Sequence, residues 1–229
     1  MILKNLYMFN EKLCFILPSY NEENTLINVI KEIQKFGKII VVDDCSTDQT
    51  SSLLSGMEVT NIRNEVNLGY DLSLNIGFKK AIELKMDYAI TIDADGQHHV
   101  DDAKKIINLL YSGNSIVRGK RKYLPRISEK FFSLYTKIFY NIFDPLCGLK
   151  GYNLNDCKNL DILNPNNIIG TKTLLNVKRK KLNIAEFEIK QIKRSDLPRY
   201  GSHLNANIKI LKGLFNLILD DIFRLFKIR

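Results

Sequence analysis

Residues 88–99 read YAITIDADGQHH, an apolar run suited to a buried strand that gives way at once to Asp93, Asp95, Gln97, His98 and His99. Carboxylates at the end of an apolar strand must be paired, hydrated or bound to a cation, because burying them bare is too costly. A strand that delivers acid at its C-terminal end fits an open α/β sheet, whose ligands collect outside the carboxyl ends of the strands.

The same pattern recurs upstream. KLCFILPSY (12–20) and KIIVVDD (38–44) are strand-like runs ending in polar residues, and EENTLINVIKEIQKF (22–36) lies between them with apolar residues at 26, 29, 30 and 33, a helical spacing. Gly37 is expected to close that helix, and Ser46 or Thr47 to cap a short helix within STDQTSSLLSG (46–56). EVTNIRN (58–64) reads as a weaker strand, SLNIGFKKAIELK (73–85) as a helix, and VDDAKKIINLLYSG (100–113) as an amphipathic helix capped by Gly113. Strands alternating with helices mark βαβ units and a mostly parallel sheet. Pro18–Glu22, Asp43–Asp44 and Asp93–Gln97 should then converge on one crevice. Further along come an aromatic-rich helix, EKFFSLYTKIFYNIF (129–143), a loop at DPLCGLKGYN (144–153), a helix near TKTLLNVKRKK (171–181) and a strand, IAEFEIKQI (184–192).

The 229 residues are 45% hydrophobic and 26% charged, which excludes a disordered chain and suits a protein with a real core. Four cysteines without a C-x-x-C pair argue against a zinc ribbon or redox dithiol and for a reducing, cytoplasmic compartment. No secretory leader and no transmembrane run are expected. Charge is unevenly distributed. Residues 1–115 hold 11 Lys and Arg against 16 Asp and Glu, net −5, while residues 116–229 hold 23 against 9, net +14. A basic half of this kind is either solvated surface or a face that meets phosphate, lipid headgroup or nucleic acid.

Two aspartates separated by one residue in a turn can reach one hard cation and leave its other positions to phosphate oxygens and water, which suits Mg²⁺ or Mn²⁺. Neighbouring His98 and His99 without distant Cys or His partners lack zinc-ligand spacing.

Four ordered segments, ILPSYNEENT, IIVVDDCSTDQT, NLGYDLSLNIGFKKA and TIDADGQH, resemble the P-x-Y-N-E, V-D-D-x-S-x-D, N-x-G and D-A-D patterns of the family-two glycosyltransferases. The resemblance spans roughly residues 12–155 and implies a GT-A fold, a Rossmann-like nucleotide-binding, mostly parallel sheet flanked by helices. Within that family DADGQH, VRGKRKY, DPLCGLKGYN and RSDLPRYGSHLNANIKILKG look most like the polyprenyl-phosphate glycosyltransferases, the group that includes dolichol-phosphate mannose synthase. A catalytic domain over 1–203 is expected, with a donor half at about 12–115 and an acceptor half at about 116–203, followed by an amphipathic helix over 204–229.

Carried over residue by residue, the resemblance implies that Pro18, Tyr20 and Glu22 bracket the base and ribose, that Asp43 or Asp44 takes the base or ribose, and that Asn67, Gly69 and Asp93 belong to the same nucleotide-sugar site. Asp93, Asp95 and Gln97 would hold Mg²⁺ or Mn²⁺ on the donor diphosphate. Asp44 to Asp48 could equally cap a helix, and Glu22 complete a capping box. The catalytic candidates are Asp95, Arg121 and Asp144, the last readable as a base, an orienting carboxylate or a helix terminator. If the acceptor is a polyprenyl phosphate, the nucleophile is already an anion and needs cations beside it; Arg118, Arg121 and Arg126, with Lys120, Lys122 and Ser128 beside them, are of the right kind, Arg121 and Arg126 above all. If it is a sugar hydroxyl, as in cell-surface polysaccharide assembly, a general base is required.

In residues 204–229 the apolar positions 204, 208, 211, 215, 218, 222 and 226 share one helical face, with Lys209, Lys212, Arg224 and Lys227 elsewhere. Such a helix can lie in a headgroup layer at the cytoplasmic face of a membrane. It can also pack on its own domain or on a membrane-protein partner, as Asp220 and Asp221 suggest. The aromatic series Phe131, Phe132, Tyr135, Phe139, Tyr140 and Phe143 could face the same membrane, though such a stripe is more often core. A nucleic-acid-binding protein is disfavoured, since no recognition helix accompanies the basic residues and an acidic crevice repels a phosphate backbone. A nucleotidyltransferase should carry a Gly-rich basic loop after its first strand, which PSYNEEN is not.

Overall fold

The structure is a computed structural model that describes residues 11–160, 170–190 and 203–227. The loop RSDLPRYGS (194–202), compared above with the polyprenyl-phosphate enzymes, lies outside the described residues.

The strands are β1 (Leu13–Ser19), β2 (Lys38–Asp43), β3 (Thr60–Arg63), β4 (Tyr88–Thr91), β5 (Ile116–Lys120), β6 (Lys150–Asn153) and β7 (Ile184–Glu188). The helices are α1 (Leu26–Ile33), α2 (Thr50–Leu53), α3 (Tyr70–Glu83), α4 (Val100–Tyr111), α5 (Ile127–Tyr140), α6 (Leu154–Cys157), α7 (Thr171–Arg179) and α8 (His203–Lys227). The strands form one sheet in the order β3-β2-β1-β4-β6-β5-β7. All neighbours are parallel except β6, which runs antiparallel to both β4 and β5.

The continuous apolar runs of the strands follow from burial on both faces. Cys14 and Ile16 of β1 and Ile40 and Val42 of β2 point to one side, where Leu74, Phe78 and Ala81 of α3 cover them. Leu13, Phe15, Leu17, Ile39 and Val41 point to the other, against Leu26, Val29, Ile30 and Ile33 of α1 and Ile106 and Leu110 of α4. Each such fully buried side chain contributes about 1.5–3 kcal/mol relative to exposure. The parallel strands therefore bring the ends of β1, β2 and β4 to one rim, and the polar residues after them meet there.

Three local expectations change. Gly37 does not close α1, which ends at Ile33 with Gln34 still right-handed; a Cβ at Gly37 would lie 2.7 Å from the Leu13 carbonyl oxygen, so glycine is required there for close packing. Helix α2 is not capped by Ser46 or Thr47: Asp48 Oδ1 accepts from the Thr50 amide at 2.9 Å, while Ser46 Oγ accepts from the Asn21 amide at 2.9 Å. The segment expected as a loop at 144–153 contains β6, which sits between β4 and β5 near the middle of the sheet. Gly113, with φ +90, does end α4 as expected.

Helix α8 packs against α5. Its buried residues are Ala206, Gly213 and Leu217, while Leu204, Ile208, Leu211, Phe215, Ile222 and Phe226 of the sequence-read stripe face outward. Asp221 turns inward, accepting from Tyr135 Oη at 2.7 Å and pairing with Arg179, and Asp220 pairs with Lys172 at 2.8 Å. The acids thus fasten the helix to its own domain, and among the described residues the apolar stripe is left exposed. Helix α5 adds Ile127, Phe131, Leu134, Ile138 and Phe139 to that exposed surface, so the aromatic series is only partly core: Phe132 is buried, Phe131 is 56% exposed and Phe139 65%. No helix among the described residues is long and apolar enough to cross a membrane.

Candidate active site

The rim of the sheet opens into a crevice of about 300 Å³ lined by Pro18, Ser19 and Tyr20 after β1, Asp44 after β2, and Asn67, Gly69, Tyr70 and Ser73 at the entry to α3. Asn205 and Lys209 of α8 complete its wall. Asp44 shapes the floor: its carboxylate accepts from the amides of Leu68 (2.8 Å) and Gly69 (2.7 Å) and from Asn64 Nδ2 (2.7 Å), folding the N-x-G loop around it. Gly69 has φ +87, a conformation that glycine adopts without steric cost. Ser19 Oγ is buried with no hydrogen-bond partner among the described residues, a polar group on the crevice wall that a ligand would satisfy.

Of the residues expected at the base and ribose, Pro18, Tyr20, Asp44, Asn67 and Gly69 line this crevice. Asp43 and Glu22 do not. Asp43 is fully buried beneath it, accepting from the Ser46 amide at 2.9 Å and pairing with Arg63 at 3.2 Å. Glu22 is buried as well, its Oε2 accepting from Thr25 Oγ1 at 3.1 Å while its own amide donates to Thr50 Oγ1. Both brace the loops that form the wall.

The acidic turn after β4 adjoins the crevice through Tyr70, whose hydroxyl donates to Asp93 Oδ1 at 2.9 Å. His98 Nε2 lies 3.2 Å from the other oxygen of Asp93. Burial by itself would raise the Asp93 pKa; the hydrogen bonds from His98 and Tyr70, with the charges of His98 and Lys150, outweigh it and hold the carboxyl below its ordinary range. Asp95 Oδ1 accepts from the Gln97 amide at 3.1 Å, closing the turn around Gly96. Two carboxylates and an amide oxygen from one tight turn are hard donors of the kind Mg²⁺ or Mn²⁺ takes when substrate oxygens complete its shell. Among the described residues no trio of His, Cys, Asp or Glu encloses a metal position. The sequence gives His98 no metal-ligand spacing, and its hold on Asp93 is a contact that spacing alone does not reveal.

Gly148, in the segment before β6, presses against this turn. A Cβ there would fall 2.6 Å from Asp93 Oδ1, so any larger residue must displace that carboxylate. Lys150, next on β6, is buried, and its ammonium donates to the Cys147 carbonyl. Desolvation lowers its pKa against the opposing pull of Cys147, Asp144 and Asp93. Arg118, paired with Lys150 across β5 and β6, has no exposed surface and is held by the carbonyls of Phe143 and Asp144 and by Glu186.

Beyond β5 lies a second polar cluster. Asp144 is buried and its carboxylate is wrapped by Arg121, which donates to it from its amide (2.8 Å), Nε (3.0 Å) and Nη2 (2.7 Å). Desolvation would lower the Arg121 pKa, but Asp144 and Glu129 outweigh it and raise it further. Arg126 Nη1 donates to Glu129 at 2.7 Å, and Arg126 Nε is buried with no hydrogen-bond partner among the described residues. Ser128 does not join this cluster: its hydroxyl donates to Asn207 Oδ1 at 2.6 Å, tying α5 to α8.

A mostly parallel sheet with a crevice at its carboxyl rim, an acidic turn beside it and an arginine cluster beyond has the organisation of a GT-A fold. Residues 14–195 match the model of glycosyl transferase family 2, and the chain belongs to that family. It is 29% identical over 249 residues to the UDP-N-acetylglucosamine–dolichyl-phosphate N-acetylglucosaminyltransferase of Methanococcus voltae, covering 94% of this chain and 99% of that one. It is 32% identical over 119 residues to the dolichol-phosphate mannosyltransferase of Pyrococcus furiosus, covering 48% of this chain and 33% of that one. Its fold is similar to that of a mannosyltransferase from Pyrobaculum calidifontis solved with GDP-Man and Mn²⁺, with a TM-score of 0.61 at 16% identity, over 84% of this chain and 59% of that one.

Proposed function

We propose that this glycosyltransferase moves a sugar from a nucleotide-diphosphate sugar to a polyprenyl phosphate in one inverting displacement. The carrying observation is that Asp144, buried beyond β5, is engaged by three donors of Arg121. A hydroxyl acceptor needs an accessible base, and a carboxylate spent on a guanidinium is a poor one. An acceptor phosphate brings its own negative charge and asks only for cations. Arg121 and Arg126 supply them, and the unpartnered Nε of Arg126 is a donor suited to a phosphate oxygen. Asp144 acts as the orienting carboxylate of Arg121, and Ser128 acts through its tie to α8.

In this reading Pro18, Tyr20, Asp44, Asn67 and Gly69 hold the nucleotide, with Glu22 and Asp43 bracing them. Asp93, Asp95 and Gln97 would hold Mg²⁺ or Mn²⁺ on the diphosphate, and the ion would supply Lewis-acid stabilisation of the departing charge. A phosphate oxygen of the acceptor forms the new bond to the anomeric carbon from the face opposite the leaving group, while the bond to the donor diphosphate breaks and its electron pair leaves on the nucleotide. Tyr70 and His98 keep Asp93 anionic and oriented throughout.

Residues 1–203 form the catalytic domain, and the helix at 204–229 lays it against the cytoplasmic face of a membrane, where the lipid acceptor resides. The uncovered apolar faces of α5 and α8, flanked by exposed Lys130, Lys137, Lys209, Lys212 and Arg224, support this. Transfer to a sugar hydroxyl is the competing reading for the same donor site.

Thermal stabilisation tests the donor half, since a ligand that binds only the folded state must raise its stability. A UDP- or GDP-sugar with Mg²⁺ or Mn²⁺ should raise the melting temperature, and EDTA should reverse the metal-dependent part. No shift with any nucleotide sugar would remove the donor site from the account.

A further inference from the structure

We propose that Lys209 and Asn205 of α8 are donor-binding residues, with the Lys209 ammonium neutralising the nucleotide's phosphates. The inference rests on reading the crevice as the nucleotide-sugar site. Helix α8 is remote in sequence from the β1, β2 and α3 segments that carry the family motifs, yet both side chains stand in the crevice wall with Pro18, Tyr20, Asp44 and Tyr70. Lys209 Nζ reaches over the N-x-G loop, 3.6 Å from where a Cβ on Gly69 would lie.

Charge gives the lysine its task. Among the described residues lining the crevice, Lys209 is the one cation, and the one acid, Asp44, spends its carboxylate on the loop amides and Asn64. A nucleoside diphosphate laid along Tyr20 toward Tyr70 and Asp93 carries negative charge past this wall, and an ammonium there attracts it without a bidentate geometry. Helix α8 is also held in place for the purpose. Asn207 accepts from Ser128, Asp221 takes Tyr135 and Arg179, and Asp220 takes Lys172, so Lys209 is presented from a helix fastened at several points. The turn that directs Lys209 to the crevice leaves Ile208 and Leu211 exposed, so one helix carries the uncovered apolar stripe and a wall of the donor site.

The test is calorimetric binding of UDP, GDP, uridine and guanosine in the presence of Mg²⁺ to the whole chain and to Lys209→Ala, Lys209→Arg, Asn205→Ala and, as a control on the same helix, Lys212→Ala. The melting temperature of each variant is recorded alongside. Lys209→Ala should weaken the preferred nucleoside diphosphate about tenfold, as loss of a charge-assisted hydrogen bond does, and leave the matching nucleoside nearly unchanged. Lys209→Arg should recover most of the loss, Asn205→Ala should weaken nucleoside and diphosphate alike, and Lys212→Ala should bind as the parent does. If the parent binds nucleoside diphosphate and Lys209→Ala binds it equally well, this inference falls and the donor site stands. If the parent binds none of the four, the donor-site reading falls and takes this inference with it.

Discussion

The Tyr70 hydroxyl donates to Asp93 Oδ1 at 2.9 Å, and Tyr70 also lines the crevice at the rim of the sheet, so one side chain joins that crevice to the acidic turn. Hydrogen bonds to a charged group are worth about 1.5–3 kcal/mol, which corresponds to roughly a tenfold to hundredfold change in rate. Tyr70→Phe should lower kcat/KM for sugar transfer by that range while the melting temperature moves little. Transfer at the parent rate would show that Asp93 is held well enough by His98 alone.

Gly148→Ala should damage the site without destroying the fold, because the added Cβ lands 2.6 Å from Asp93 Oδ1 and the carboxylate must move. Steady-state transfer should fall at least tenfold, a loss expected when a reacting geometry is displaced by a fraction of an ångström. Circular dichroism should remain that of the parent. An active alanine variant would mean that the acidic turn tolerates displacement and is not a tuned ligand set.

Arg121→Lys keeps the charge and loses the fork that grips Asp144 from Nε and Nη2. We expect the acceptor KM to rise about tenfold with donor binding unchanged, read by titrating lipid phosphate at saturating donor. Asp144→Asn should give the same pattern, since it releases Arg121 from its seat. If Asp144→Asn instead removed the acidic limb from the pH–rate profile while Arg121→Lys did not, Asp144 would be a base and the hydroxyl-acceptor reading would gain.

The cysteines give a pH test of the core. All four described thiols are free, and burial pushes Cys147 from 9.0 up to about 11 and Cys157 up to about 12. A thiol whose folded pKa is raised contributes stability fully below its unfolded value and loses it as pH climbs through the folded one. The native protein should therefore soften between about pH 9 and 11, and Cys147→Ala should flatten that decline in melting temperature. In the folded state at about pH 8, iodoacetamide should modify the partly exposed Cys45 and spare Cys14, Cys147 and Cys157. Rapid alkylation of all four without denaturant would contradict the burial.

The exposed faces of α5 and α8 should bind vesicles that contain anionic lipid, and replacing Phe131, Phe215 and Phe226 together with serine should release the protein into the supernatant on sedimentation. Those side chains touch solvent, so the variant should fold. Equal sedimentation of parent and variant would assign the stripe to a protein partner.

Much of this molecule can be read from its sequence for a plain reason. The strands β1, β2 and β4 carry continuous apolar runs that end in polar residues, and the helices α1 and α4 carry a clear helical period, so local chemistry alone places the rim where Pro18, Asp44 and Asp93 meet. Strand β6 escaped because Lys150–Asn153 has no apolar alternation; it becomes a strand by filling the gap between β4 and β5, a tertiary fact. The stripe on α8 is visible as a face, but periodicity does not say whether a face points in or out, and Ala206, Gly213, Leu217 and Asp221 form the inward side. Ser128 had the right residue type for a phosphate and lies against Asn207 instead, 79 positions away in the chain. His98, Tyr70 and Gly148 converge on Asp93 from three different segments, which motif spacing does not encode.

The acceptor, lipid phosphate or sugar hydroxyl, decides which reaction this site performs. A radiolabelled nucleotide sugar should be incubated with Mg²⁺ or Mn²⁺ and with either undecaprenyl phosphate in detergent or an oligosaccharide, followed by separation into organic and aqueous phases. Label should enter the organic phase with the lipid phosphate alone, and transfer should fall on the order of 10³ in Asp93→Ala as the site loses its preorganised charge. Label transferred only to the water-soluble oligosaccharide, with none entering the organic phase, would contradict transfer to a lipid phosphate.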